Sequence, residues 1–250
     1  MADFTCYRKG IRCSGPVALP HKTFFNWSTG KDSAFALYLM QRDSNFAVSH
    51  LLTSVNAEHN RVSMHGLRRI LLEQQAAATG LPLITVELSE TPSMAEYEQK
   101  FGDAVQSLSA QGFTHAAFGD IFLADLRRYR EEKLSPVGIK AAFPLWKRDT
   151  AKLIREFLAL GFRAVTVSVS ADKLGADFVG REVDEAFLAD LPSGVDPCGE
   201  NGEFHTFCYA GPVFAREIGF RIGEKVWRGP KSSNTTVAEH GHWYADLEPL

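Results

Sequence analysis

The sequence predicts an α/β protein: a mainly parallel sheet covered by helices, followed by a smaller, loop-rich α+β unit. Three observations carry this. Apolar, β-rich segments at 22–27, 46–55, 83–88 and 115–118 alternate with helix-period segments at 33–41, 64–79 and 93–111. Strands separated by helical crossovers pair in parallel, with right-handed connections. After about residue 135 the texture changes to short segments punctuated by glycine and proline.

The elements follow in order. Residues 1–20 hold Gly10, Gly15, Pro16 and Pro20 with little periodicity and read as a flexible leader. Residues 22–27 (KTFFNW) form an apolar first strand, and Ala34 to Met40 carry an amphipathic helix pattern. The second strand spans 46–55. The helix over 64–79 stops at Gly80, and the helix over 93–111 stops at Gly112, both residues of the type that ends helices. A short strand, 115–118, runs into Gly119-Asp120. A helix at 149–160 and a strand at 164–169 open the second unit. The aromatic pair Trp243-Tyr244 ends the chain in a last strand. The organisation expected is a leader at 1–20, a parallel-sheet unit at 21–135 and a second unit at 136–250.

Composition narrows the function classes. Of 250 residues, 45% are hydrophobic and 23% charged, ordinary values for a globular chain. The net charge is −3 and the pI about 6.2, with no basic excess to hold a nucleic acid backbone. No apolar run approaches the ~20 residues that cross a bilayer, and the N-terminus lacks the apolar core of a secretory signal. A cytoplasmic location is expected. Cys6, Cys13, Cys198 and Cys208 include no C-x-x-C pair, which argues against a zinc ribbon. A Cys198–Cys208 disulfide is conceivable by proximity in sequence, but a cytoplasmic chain would keep both reduced.

Two segments carry chemistry. The first is Trp27-Ser28-Thr29-Gly30-Lys31-Asp32-Ser33, between a strand and a helix. That geometry gathers backbone N–H groups around a phosphate. Ser28 and Ser33 add hydroxyls and Lys31 a mobile positive charge. Asp32 beside a phosphate implies an intervening Mg²⁺ ion. The string does not fit the Walker A pattern. A plain strand–turn–helix connection with a serine N-cap is the alternative. Ligands in parallel sheets bind at the carboxyl ends of strands. Both this loop and Gly119-Asp120 sit at such ends, as do Glu58, Arg61 and His65 after the second strand.

The second segment is residues 191–206, which place Asp196, Glu200, Glu203 and His205 among turn-forming glycines and prolines. Gly199-Glu200-Asn201-Gly202-Glu203 is expected to be a binding loop rather than a helix or strand. It lacks calcium-loop spacing; a solvated turn, and a buried core role for His205, are the competing readings. The charge run Asp125 to Glu132 reads as a solvated helix face, with Arg127 or Arg130 as an alternative clamp for an anion.

The 28–33 loop resembles the Ser-Gly-Gly-x-Asp-Ser loop of the PP-loop ATP pyrophosphatases, with Thr29 where the second glycine is usual. Residues 199–204 are similar to the Gly-Glu-x-Gly-Glu-Phe/Tyr signature of the diphthine–ammonia ligase (diphthamide synthase) family. Gly119-Asp120-Ile121 and Pro144-Leu145-Trp146 resemble further landmarks of that family, so the similarity runs from about residue 22 to the C-terminus. It implies a Rossmann-like, adenine nucleotide alpha hydrolase-type sheet with ATP at Ser28, Thr29, Gly30, Lys31, Asp32, Ser33, Gly119 and Asp120. It further implies Mg²⁺ on Asp32, and an amide ligase that works through an acyl-adenylate with release of AMP and pyrophosphate.

Ammonia then displaces AMP, and its deprotonation calls for a base among Glu200, Glu203 and His205, with Lys31 facing the pyrophosphate. Two departures bear on the acceptor. His205 stands where Glu is usual, a feature associated with bacterial relatives, and Ala210 stands where Asp is usual. The fold and the ATP chemistry carry over; the carboxylate acceptor, a protein residue or a small metabolite, stays open. A non-catalytic ATP-binding regulator is the alternative from another class, and a tRNA thiolase is disfavoured by the missing C-x-x-C pair. The partners expected are ATP, ammonia and the acceptor, with no nucleic acid or membrane, and a second copy of the chain in a homodimer.

Overall fold

The computed structural model describes residues 19–63, 66–229 and 241–250. The leader up to residue 18, Cys6, Cys13, His65 and the polar stretch 230–240 lie outside those described residues.

The first sheet is built on strand β1 (His21–Asn26). Its Thr23, Phe24 and Phe25 are all buried, because helices cover both faces. Phe24 and Phe25 point into different core clusters. Strand β2 (Phe46–Asn56) pairs parallel with β1 on one side. Strand β4 (Leu83–Leu88) continues parallel beyond β2. On the other side of β1 lies β5 (His115–Ala117), and then β6 (Lys140–Ala142), both parallel. The two-residue β3 (Arg61–Val62) is the antiparallel exception, paired to the end of β2. The chain thus winds outward from β1 through β2 to β4, then returns to fill the opposite flank. The carboxyl ends of β1 and β5 flank the point where winding reverses, which is where such sheets bind ligands.

Helix α1 (Lys31–Met40) follows β1. Helix α2 (Arg69–Thr79) starts five residues later than the periodicity predicts. The chain first pairs Arg61–Val62 with β2 and bridges Arg61 to Arg68, which uses the backbone groups a longer helix would need. Helix α3 (Met94–Ala110) is capped by Ser93, whose hydroxyl accepts from Glu96 N at 3.1 Å. Helix α4 (Ala124–Leu134) carries the charge run.

The second sheet is antiparallel. After α5 (Thr150–Ala159) comes β7 (Arg163–Ser170), whose last seven residues are all buried. A short helix α6 (Glu185–Asp190) precedes β8 (Phe204–Ala210), β9 (Phe220–Arg228) and β10 (His242–Pro249). The strand order is β8-β7-β10-β9. One hydrophobic cluster runs continuously from Phe25 and Phe35 of the first half to Phe207 of the second. Phe157 and Phe162 stack at 4.8 Å within it. Burying each such ring contributes about 1.5–3 kcal/mol. The fold is therefore the expected α/β type: a Rossmann-like parallel sheet joined to a smaller C-terminal α+β unit. No helix among the described residues is long and apolar enough to cross a membrane.

Candidate functional site

The loop after β1 is held from every side. Trp27 is buried, its N–H donates to Leu52 O at 2.9 Å, and its carbonyl accepts from Thr53 Oγ1 at 2.8 Å. The Ser28 and Ser33 hydroxyls meet at 2.6 Å, and Ser28 N donates to Ser33 Oγ at 3.1 Å, closing the loop on itself. Gly30 is the N-cap of α1 and has no side chain to cap it, so Lys31, Asp32 and Ser33 form the first helical turn. Gly119 comes so close to that turn that a Cβ there would meet Asp32 C and Ser33 N at 3.0 Å. Only glycine lets the end of β5 approach the phosphate loop this tightly.

The second half completes the loop. Lys31 N donates to Thr206 Oγ1 at 3.1 Å, and Cys208 N donates to Thr29 O at 3.0 Å. Lys31 Nζ is buried; it donates to Asp32 Oδ2 at 2.7 Å and to the carbonyl of Cys198, with the Phe204 ring 5.4 Å away. Burial pulls the Lys31 ammonium down, but Asp32, Cys198 and Glu200 outweigh it and leave it above its ordinary value. Burial raises the Asp32 carboxyl against the pull of Lys31, and Asp196 and Asp120 add to the rise.

The acidic loop is irregular, as its glycines require. Gly199 has φ +70°, and a Cβ there would sit 2.7 Å from Phe204 O. Asp196 Oδ1 accepts from Cys198 N at 2.9 Å and from Glu200 N at 3.3 Å, while Oδ2 accepts from Thr150 Oγ1 at 2.7 Å. Glu203 is buried beneath the loop: Asp196 N, Asn201 N and Asn201 Nδ2 donate to it at 3.0, 3.0 and 3.1 Å. Glu200 reaches the other way. Its Oε1 accepts from Ile121 N at 2.8 Å, tying this loop to the one that follows β5. Burial raises its carboxyl to about 7, against the amides of Ile121 and Phe122. Burial likewise holds the His205 imidazole down to about 4, with Lys31 and His242 adding to the effect, so the ring is neutral at pH 7. Cys198 and Cys208 are both free thiols, buried, with pKa values raised by burial.

These pieces surround one cleft of about 640 Å³ at the reversal point of the sheet. Ser28, Gly30, Lys31, Asp32 and Ser33 line it together with Gly119, Asp120, Glu200 and His205; Glu203 does not. Thr29 is fully buried behind the loop. Tyr97, Phe101 and Phe118 form an aromatic wall. Arg130 lines the cleft and pairs with Asp120, Nε to Oδ2, at 2.9 Å. Arg127 instead stacks on Trp146 and Phe143, 4.7 and 5.0 Å from their centroids. Glu58 is exposed outside the cleft, and Arg61 is paired with Asp246 at 2.9 Å. Pro144-Leu145-Trp146 lies behind the loop after β5, where Lys147 N donates to Ile121 O at 2.7 Å.

Two carboxylate oxygens in the cleft wall are buried without a hydrogen-bond donor: Asp32 Oδ1 and Asp120 Oδ2. The latter's ion pair with Arg130 is misaligned for a hydrogen bond, since Arg130 Nε is equally unsatisfied. Unsatisfied buried anionic oxygens suit a hard cation. Among the described residues no cluster of three or more His, Cys, Asp or Glu side chains could hold a metal alone. One or two carboxylates plus substrate phosphates is the usual arrangement for Mg²⁺.

Two supporting residues escape a reading of motifs. Thr206 receives the Lys31 amide. Gln75 of α2 is fully buried and bonds Trp27, Thr29 and Cys208. The signal for Gln75 was its place four residues after Leu71 and three after Leu72, on the apolar stripe of α2.

Comparison with known proteins identifies the family. Residues 21–141 match the family model of the diphthamide synthase N-terminal domain, and residues 149–236 that of the diphthamide synthase C-terminal domain. The chain is 28% identical over 211 residues to the diphthine–ammonia ligase of Danio rerio, covering 76% of this chain and 83% of that protein. It is 26% identical over 223 residues to the diphthine–ammonia ligase of Rattus norvegicus, covering 80% of this chain and 82% of that protein. For the diphthine–ammonia ligase of Homo sapiens the figures are 28% over 166 residues, 59% of this chain and 61% of that protein. With both characteristic domains present in order, the chain belongs to the diphthamide synthase family.

Proposed function

We propose that this chain is an ATP-dependent amide ligase that activates a carboxylate as its adenylate and hands it to ammonia. The observation that carries the reading is one cleft with two faces. The phosphate loop with Asp32, and Asp120 after β5, each bearing an unsatisfied carboxylate oxygen, face Glu200 and His205 of the other half. Residues 21–135 then hold the nucleotide, and residues 136–250 supply the acceptor side.

In the first step a carboxylate oxygen of the acceptor attacks the α-phosphorus of ATP. The bond to the β-phosphate oxygen breaks and pyrophosphate leaves. The backbone amides of the 28–33 loop and the Ser28 and Ser33 hydroxyls hold the phosphates. Lys31 keeps its charge next to them while anchoring the acidic loop through the Cys198 carbonyl. Asp32 and Asp120 would hold Mg²⁺, which when bound supplies charge neutralisation of the phosphates. In the second step ammonia attacks the acyl carbon and AMP leaves. One proton departs the nitrogen as the amide forms. Glu200, with a carboxyl raised to about 7, is matched to take it at neutral pH. His205 is neutral and faces the acceptor as a hydrogen-bonding group. Glu203, fully engaged by the amides of its own loop, sets the loop's shape.

The similar proteins named above are diphthine–ammonia ligases. A histidine at 205 beside the acceptor favours a different carboxylate in this chain. The deciding experiment incubates the protein with Mg·ATP, ammonia and candidate carboxylates, diphthine among them, and separates the nucleotides by chromatography. AMP and pyrophosphate in equal amounts, with an amide of the same stoichiometry, are expected. ADP with phosphate would discard the adenylate mechanism. Tight ATP binding with no turnover on any carboxylate would favour a regulator.

A further inference from the structure

The phosphate loop takes its shape from a residue outside it. Thr29 has φ +74°, in the left-handed region that a β-branched side chain strongly disfavours. Its carbonyl accepts from Gln75 Nε2 at 2.9 Å and from Cys208 N at 3.0 Å. Gln75 sits in α2, fully buried, and does not line the cleft. Its amide orientation is fixed by chemistry. The Trp27 indole can only donate, and it donates to Oε1 at 2.9 Å. The Nε2 group therefore faces two carbonyls, Thr29 O at 2.9 Å and Cys208 O at 2.5 Å. One side chain thus joins the end of β1, the phosphate loop and β8.

We propose that Gln75 is a positioning residue that locks Thr29 in its left-handed conformation and so holds the phosphate loop ready for Mg·ATP. The inference rests on the ATP reading above. A side chain that merely filled space would be replaceable by an apolar one of similar size. Here the replacement removes one of the two donors to Thr29 O and leaves Cys208 N alone against the strain that draws Thr29 toward a negative φ. That relaxation reorients the peptide groups on either side of Thr29 and so shifts Gly30 and Lys31, two residues that line the cleft. Glycine adopts the left-handed region without strain. A glycine at 29 therefore keeps the loop's shape even without the Gln75 amide.

The test uses the full chain with Gln75→Leu, Thr29→Gly and the double variant. Gln75→Met, closer in shape, serves if the leucine variant does not fold. Leu108→Ala, buried in α3 within the other core cluster and outside the cleft, supplies a purely structural loss of stability. Three quantities are read: Kd for Mg·ATP by titration calorimetry, Tm, and hydrogen exchange of the 28–33 amides without nucleotide. Gln75→Leu is expected to weaken Mg·ATP by about tenfold, about 1.4 kcal/mol, and to speed exchange of the loop amides. The double variant is expected to recover both to near the wild-type values. Leu108→Ala is expected to lower Tm and leave both unchanged. A Gln75→Leu protein with lowered Tm but wild-type Kd and loop exchange overturns the proposal. So does a double variant no better than Gln75→Leu alone. If the wild-type chain binds no Mg·ATP, the nucleotide reading fails. Loop exchange and its rescue by glycine then decide the role of Gln75 alone.

Discussion

Glu203→Gln separates a structural carboxylate from a catalytic one. The substitution preserves size and removes the charge. In the wild-type chain Oε1 accepts from Asp196 N and Asn201 Nδ2, and Oε2 accepts from Asn201 N at 3.0 Å. A glutamine can keep its oxygen on one side only. Its NH₂ group then faces an N–H across about the same distance, two donors in contact. One charge-assisted bond is lost, worth about 1.5–3 kcal/mol, and a buried donor is stranded, worth about 1–3 kcal/mol. The expected loss is roughly 3 kcal/mol, because neighbouring backbone relaxes part of the way. For a chain of this size that lowers Tm by about 6–12 °C. Thermal melting followed by circular dichroism measures it, with ligase turnover recorded on the same samples. A variant that melts within a degree or two of wild type yet turns over some hundredfold more slowly would show that Glu203 works on the reacting groups. The loop-shaping role would then be abandoned.

Glu200→Gln tests the base. In the wild-type chain amide formation should climb as pH rises through about 7, because the deprotonated carboxylate takes the proton from nitrogen. The variant should be roughly 10²-fold slower and lack that limb; an unchanged pH profile would remove Glu200 from the role. Asp246→Asn tests the tie between the C-terminal strand and the segment before α2, where Arg61 Nη1 and Arg68 Nη2 reach Asp246 at 2.9 and 2.5 Å. These donors hold the Asp246 carboxyl down to about 2, from an ordinary 3.8. A depressed carboxyl stabilises the fold fully above its unfolded pKa and ceases to as pH falls through about 2. Urea unfolding should therefore show a deficit on the order of 1–2 kcal/mol at pH 7. The deficit should shrink toward zero near pH 2, and a constant deficit at both pH values would assign it to packing instead.

Much of this architecture can be read from local signals. The unbroken apolar pair Phe24-Phe25 announces a strand buried on both faces, and Ser93 with Glu96 announces the start of α3. Ser28 to Ser33 mark the loop because strand, small residues and helix lie in immediate succession. The strand Lys140–Ala142 is invisible: it is as short as His115–Ala117 but has no Gly-Asp turn like Gly119-Asp120 after it to mark its end. The true start of α2 is hidden because pairing of Arg61–Val62 with β2 is a long-range event. The acidic loop is legible as a loop, but the division of labour within it is not. Glu200 and Glu203 are chemically alike, and only the fold turns one toward the Ile121 amide and the other under its own turn. Gln75 illustrates the same limit: a polar residue on an apolar stripe signals a buried amide without naming its partners.

The bonds from Thr206 and Cys208 to the phosphate loop join residues about 175 positions apart. The strands of the parallel sheet end at residue 142, so their sequence leaves the ribosome well before β8 does. In the interval the Thr29 carbonyl lacks Cys208 and the Lys31 amide lacks Thr206, so Gln75 alone would hold the left-handed turn. The finished shape of the phosphate loop is therefore conferred late, by the last third of the chain reaching back to the first. A nascent or prematurely terminated polypeptide that lacks β8 carries the recognisable motif without two of the bonds that shape it.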